Sequence, residues 1–233
     1  MSIASEGWAL ELRGEQFDLD DLREALKPPF DPWVEEYADD ENSRLLLRSR
    51  AWADMQSTGQ MMADARRLID QMNGAHLVDQ SDARPISHGI TLRFRADGTR
   101  IPVIFAASMH ITLQGGRCRA RGVVGNGQYP AEPVASPMQQ RLERASSNGA
   151  VADLLTFVTR ADNWFDLFKG MESVERLIGG VAKAKALAPD WSRVRQTANC
   201  HRHAPSPNYP LPKQPASIPE ARALLFRVAG QVL

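Results

Sequence analysis

Apolar residues recur at every second position through much of the first half of this chain and at every third or fourth position through the second. In GWALELRG, Trp8, Leu10 and Leu12 point one way and Glu11 and Arg13 the other, which is the period of a half-buried strand. DLDDLREAL follows, with acids opening a predicted helix and Leu19, Leu22 and Leu26 at helical spacing. PPFDP ends it, because proline and the residue before it both disfavour helix. A short strand over 34–37, a polar turn at DDENS and a strand through RLLLRS come next. AWADMQSTGQMMADARRLIDQMNG predicts a long helix with Met61, Ala65, Leu68, Ile69 and Met72 in one stripe, closed by an Asn73-Gly74 cap.

The texture then turns to β. GITLRFRADGTRIPVIF predicts a hairpin turning at Asp97-Gly98, with Ile90, Leu92 and Phe94 alternating against Thr91, Arg93 and Arg95. MHITLQGGRCRARGVV predicts a second hairpin around Gly115-Gly116. Residues 1–127 are therefore expected to form a small antiparallel sheet with the long helix across one face. The proline-bearing stretch around 128–135 has no periodicity and reads as a linker.

Residues 136–233 read as helical. Ser136 and Pro137 open one helix, and NGAVADLLTFVTRA continues the pattern. Asp162 is the expected cap of the next helix and Gly179-Gly180 its stop. A polar helix rich in Arg and His follows, then APSPNYPLPKQPASIP, expected to pack as an extended strap. SIPEARALLFRVAGQ closes the pattern, with Ser217 as cap and Pro219 and Glu220 in the first turn. The predicted fold class is α+β: a small antiparallel sheet with a long helix, followed by an all-α bundle.

Composition changes this picture little. With 233 residues, 43% apolar and 24% charged, the chain can bury a real core. Net charge is zero, so the overall balance leaves no footprint for nucleic acid or anionic membrane. The distribution is uneven: from Ser136 onward there are 13 Lys and Arg against 8 Asp and Glu, so the first half is acidic and the second basic. Cys118 and Cys200 are the two cysteines, which is no disulfide framework and fits a reducing cytosol. The first fifteen residues lack a basic, then apolar, leader pattern, and no window is apolar enough to cross a membrane. The expected location is cytoplasmic, with no membrane partner.

Two constellations carry candidate chemistry. Arg117, Arg119 and Arg121 share one side of a predicted strand, and arginines so placed can bind phosphate; the alternative is a solvated sheet face. The second is RVRQTANCHRHAP, which holds two of the five histidines. Cys200, His201 and His203 lack the paired four-ligand pattern of structural zinc, so no metal and no cofactor are expected. Adjacent Cys200 and His201 are poorly placed as a nucleophile pair. G-x-S-x-G, Walker and G-x-G-x-x-G motifs are absent. Arg195 and His201 remain. On a helix they lie about 120° apart in azimuth and about 9 Å apart along the axis, a gap arginine can close. Arginine can hold phosphate and histidine can exchange a proton near neutral pH. The same residues at a helix end equally serve to complement its dipole.

The C-terminal part resembles a widespread group of uncharacterised bacterial proteins with a C-terminal HEPN-like helical domain. The resemblance runs through Trp164, Leu167, Phe168, Met171 and Glu172, then Thr197-Ala198-Asn199, then Arg202-His203-Ala204. It continues through Pro210, Pro212, Pro215, Glu220, Ala221, Leu224 and Leu225. It implies a HEPN-like bundle over 136–233 and a homodimer through that bundle. It further implies RNA or nucleotide as the partner and, in its strongest form, a metal-independent endoribonuclease of a toxin or phage-defence kind. The Arg-x4–6-His spacing of HEPN ribonucleases is met by Arg195 and His201, whereas the R-H-A signature matches Arg202 and His203. Gln196 stands where those ribonucleases usually carry Asn, Asp or His. The candidate catalytic residues are thus Arg195, His201 and His203, with Asn199, Arg202, Arg117, Arg119 and Arg121 as candidate binding residues. The rival expectation is a non-catalytic dimerisation or partner-binding module in which the Arg/His segment is structural.

Overall fold

A computed structural model of the chain describes residues 6–39, 42–97, 99–103, 132–203 and 208–233. Among these it is an α+β protein with five antiparallel strands and eight α-helices. It divides into two compact units, Met1–Met61 with Ser87–Ser136, and Met62–Ile86 with Pro137–Leu233. Among the described residues no helix is long and apolar enough to cross a membrane.

In the first unit the strands are β1 (Gly7–Arg13), β2 (Trp33–Asp39), β3 (Asn42–Arg48), β4 (Ser87–Phe94) and β5 (Arg100–Val103). They run in the order β2-β3-β1-β4-β5. Helix α1 (Gln16–Ala25) packs against β2. The alternation in β1 is real, but Ala9 is as buried as Leu10, because both faces of the sheet are covered there. The sheet coils strongly. Tyr37 on edge strand β2 meets Phe94 on β4 at 5.6 Å between ring centroids. The Tyr37 hydroxyl accepts a hydrogen bond from Arg100 on the opposite edge, at 2.6 Å. Twisted antiparallel sheets coil in this sense, and the irregularity between Leu10 and Leu12 adds to it. Inside the curl Arg48 is 2% exposed, paired with Glu35 at 3.2 Å and set over Phe94. Burial pulls its pKa below the ordinary guanidinium value, against the opposing pull of Glu35. Arg93 stacks over Trp8. The expected second hairpin, with Arg117, Arg119 and Arg121, lies outside the described residues.

The second unit contains most of α2 (Thr58–Asp79), then α3 (Pro137–Ser147), α4 (Gly149–Thr159), α5 (Trp164–Ile178), α6 (Val181–Leu187), α7 (Trp191–Arg202) and α8 (Ile218–Val232). Two features of α2 differ from the sequence expectation. From Met62 onward it groups with the helices of the second unit. Asn73-Gly74 also does not end it. A Cβ at Gly74 would stand 2.0 Å from the Leu155 carbonyl oxygen of α4, so the glycine lets two helix backbones approach. The Thr159 hydroxyl donates to the Asp70 carbonyl at 2.6 Å across the same crossing. The Asn73 amide holds the chain beyond the helix, donating to Ile86 O at 3.0 Å and accepting from Ile86 N at 2.8 Å.

Helix ends follow capping chemistry. The cap of α5 is Asn163, whose side chain accepts from Asp166 N at 3.0 Å, and not Asp162. Gly179 stops α5 with φ of 84°. At α8 the expected capping box is present: Ser217 accepts from Glu220 N, and the Glu220 carboxylate accepts from Ser217 N at 2.6 Å. The backbone bond from Ser217 N, and with it a bond from the Ser217 hydroxyl to the same carboxylate at 2.9 Å, hold the Glu220 pKa below the usual glutamate value. A depressed carboxylate contributes stability above its unfolded pKa and loses it as pH falls through the folded one. Loss of the N-cap in Ser217→Ala is expected to cost about 1 kcal/mol at neutral pH. The difference between wild type and variant in urea denaturation should shrink below the ordinary glutamate range. A difference that stays constant down to strong acid would contradict the bond from the Ser217 hydroxyl to the Glu220 carboxylate.

Candidate functional site

Helices α5 and α7 run antiparallel, as their pairings show: Trp191 reaches Glu175 near one end and His201 reaches Trp164 at the other. Helix α7 buries Trp191, Val194, Thr197 and Ala198, a stripe at helical spacing. Its last turn carries His201 and Arg202, which complement the helix dipole. The backbone then becomes extended at His203.

Glu175 organises the middle of the pair. One of its carboxylate oxygens, Oε1, accepts from Trp191 Nε1 at 2.9 Å and from Arg195 Nε at 2.7 Å. Glu175 is nearly buried, whereas the Arg195 side chain is 31% exposed. The guanidinium carbon of Arg195 sits 5.0 Å from the centre of the Phe168 ring, and that of Arg202 sits 4.0 Å from the same ring. Both are within cation–π range. Arg202 donates through Nη2 to Asn199 Oδ1 at 3.1 Å and to His203 Nε2 at 3.1 Å. A guanidinium only donates, so Nε2 of His203 is the acceptor there.

The two histidines part company. His203 is half-buried, its ring stacked 4.2 Å from that of Tyr209. His201 is exposed, with one ring face stacked on Trp164 at 5.1 Å. Phe168 and Trp164, the contacts of Arg195 and His201, are one turn apart on α5, about 6 Å along its axis. Arg195 and His201 therefore share one flank of α5. The strap is fastened to the same helix. Gln196 donates to Pro210 O at 2.9 Å. Thr197 Oγ1 accepts from Ala216 N at 3.1 Å and donates to Arg193 O. Gln196, the departure from the ribonuclease pattern, thus uses its side chain to hold the strap.

Of the expected site residues, Arg195, Asn199, His201, Arg202 and His203 gather along α7; Arg117, Arg119 and Arg121 lie outside the described residues. Cys200 is a half-buried free thiol. Among the described residues no group of three or more His, Cys, Asp and Glu side chains is arranged to hold a metal ion. Sequence reasoning did not single out Glu175, Trp191 or Tyr209. A signal for Glu175 existed: with Trp164, Phe168 and Met171 it completes one helical stripe, so it is a carboxylate on an apolar face. Compared with protein-family models, with curated proteins and with solved structures, the chain matches none.

Proposed function

We propose that the C-terminal half of α7 engages the phosphate of an RNA or nucleotide, with Arg195 as the phosphate contact and Asn199 and Arg202 beside it. One observation carries this reading. Glu175 holds Arg195 through Nε alone, and the two Nη nitrogens have no hydrogen-bond partner among the described residues. The guanidinium is thereby oriented, with its paired donors available for a bidentate oxyanion.

The stronger form is metal-independent RNA cleavage by a homodimer, in a toxin or phage-defence setting. A histidine takes the 2′-hydroxyl proton as that oxygen attacks the adjacent phosphorus. Arg195 offsets the charge developing on the phosphate oxygens. The 5′-oxygen leaves and takes a proton from water, giving a 2′,3′-cyclic phosphate and a 5′-hydroxyl end. His201 suits the base role better, because His203 is occupied by Arg202 and Tyr209. A second reading, a non-catalytic partner-binding module, draws on the other half of the segment: Arg202 donates to Asn199 and His203 and lies over Phe168.

The test is cleavage and binding of RNA in EDTA by wild type, Arg195→Ala, His201→Ala and His203→Ala, each checked for intact folding. Arg195→Ala and His201→Ala are expected to lower the cleavage rate about a hundredfold, while His203→Ala acts mainly on stability. Wild type that neither binds nor cleaves any RNA or nucleotide tried would remove the proposal and leave the structural module.

A further inference from the structure

The ends of four helices in the second unit frame a groove that no residue of α7 lines. It encloses about 490 Å³ and is open to solvent. Its walls are Leu177 and Ile178 at the end of α5, Leu187 of α6 and Val232 of α8. The groove has a local cause. Gly179 and Gly180 both take positive φ, 84° and 117°, and turn the chain sharply between α5 and the short α6. The last turn of α5 is left partly uncovered, and Leu187 stays 44% exposed. Aliphatic surface held against water in a concave site is what a ligand's apolar chain replaces.

The charges lining the groove have one sign. Lys183 and Arg144 are the charged residues among its lining, and no carboxylate is. Arg144 is engaged: it donates to the main-chain oxygens of Val232 and Leu233. Lys183 has no ion-pair partner among the described residues. Its ammonium lies over the C-terminal turn of α5, where a Cβ on Gly179 would stand 3.2 Å from Nζ. An aliphatic wall with an unpaired ammonium at its edge is complementary to a chain that ends in a negative charge.

We propose that this groove binds an anionic amphiphile, an unbranched aliphatic carboxylate, with its chain along Leu177, Ile178, Leu187 and Val232 and its carboxylate on Lys183. The site is independent of the Arg195 region, so either proposal can fail without the other.

The probe is dodecanoate below its micelle concentration, titrated calorimetrically into the whole chain beside dodecanol and dodecyltrimethylammonium. Saturable binding of one dodecanoate per chain is expected, with the cation bound more weakly. Shortening the chain should weaken binding about twofold per methylene, half of the roughly fourfold that full burial gives. Lys183→Glu is expected to weaken dodecanoate about fivefold and to favour the cation. Leu187→Asp should weaken it about tenfold, since a charge replaces wall. Lys183 and Leu187 are exposed, and unchanged thermal unfolding in both variants shows that the fold is kept. Equal affinity for all three probes, or binding untouched by Leu187→Asp, overturns the site. So does a dimer that Leu187→Asp dissociates in a protein without saturable dodecanoate binding, because the face would then serve a second copy.

Discussion

Gly74→Ala is expected to destabilise the helical unit by about 3 kcal/mol or more, the upper range for one added methyl group. In an exposed helix this change is stabilising, because alanine exceeds glycine in helix propensity by about 1 kcal/mol. Here the new Cβ would sit 2.0 Å from a carbonyl oxygen and 2.6 Å from a carbonyl carbon, both of Leu155. These are backbone atoms of α4 and cannot rotate aside as a side chain can. Relief requires the helices to separate, which loosens the Thr159–Asp70 bond and the fully buried Leu155. Gly59→Ala is the control. It lies in the first turn of the same helix, and its Cβ would meet only the Ser57 hydroxyl, at 3.6 Å. That change should be neutral or gain up to about 1 kcal/mol. Thermal unfolding of both variants decides the matter, at about 2–4 °C per kcal/mol for a chain of this size. Equal melting of Gly74→Ala and wild type would mean that the helices do not cross so closely.

Trp191→Ala is expected to cost about 3–5 kcal/mol, as deletion of a buried large aromatic does. Trp191 is fully buried at the start of α7, so the loss is mostly packing. A smaller part is chemical, because Glu175 Oε1 loses one of two donors in a nearly buried place. Trp191→Phe separates the two contributions. It keeps most of the ring and loses the N–H, at an expected cost of about 1–2 kcal/mol. Urea denaturation of both variants, with unchanged m-values, measures the difference. Equal losses would show that the Glu175 bond, and not the ring, holds this end of the helix.

The local signals along the chain were good guides where the cause of a structure is local. The capping box at Ser217 and Glu220 needs four residues, and all four are visible in SIPE. The strands β1 to β5 fall within a few residues of where the local pattern put them. The misread positions have distant causes. Asn73-Gly74 has the form of a helix stop, yet the residue that gives Gly74 its purpose is Leu155, on another helix. Asp162 and Asn163 are equivalent as caps on paper; the backbone geometry selects the second. At the site, the sequence put Arg195 and His201 within reach of each other but did not say which residues would support them. Phe168, Glu175 and Trp164 come from a helix antiparallel to α7, and which helices become neighbours is a property of the whole bundle.

The division of the chain has a consequence for how it is made. Residues 62–86 belong with 137–233, yet they interrupt 1–61 and 87–136. During synthesis from the N-terminus, the sheet unit waits for β4 and β5 while a foreign helix is emerging. That helix in turn waits for α4, leaving the sides of Gly74 and Leu77 uncovered until residues 149–159 exist. The sheet unit can close only after the inserted helix has been made, and the helical unit only after residues 137–233 follow, although N-terminal pieces of longer chains generally close as they emerge. The apolar flank of a half-made α2 is a surface that the cell must keep from other chains until the second half of the protein arrives.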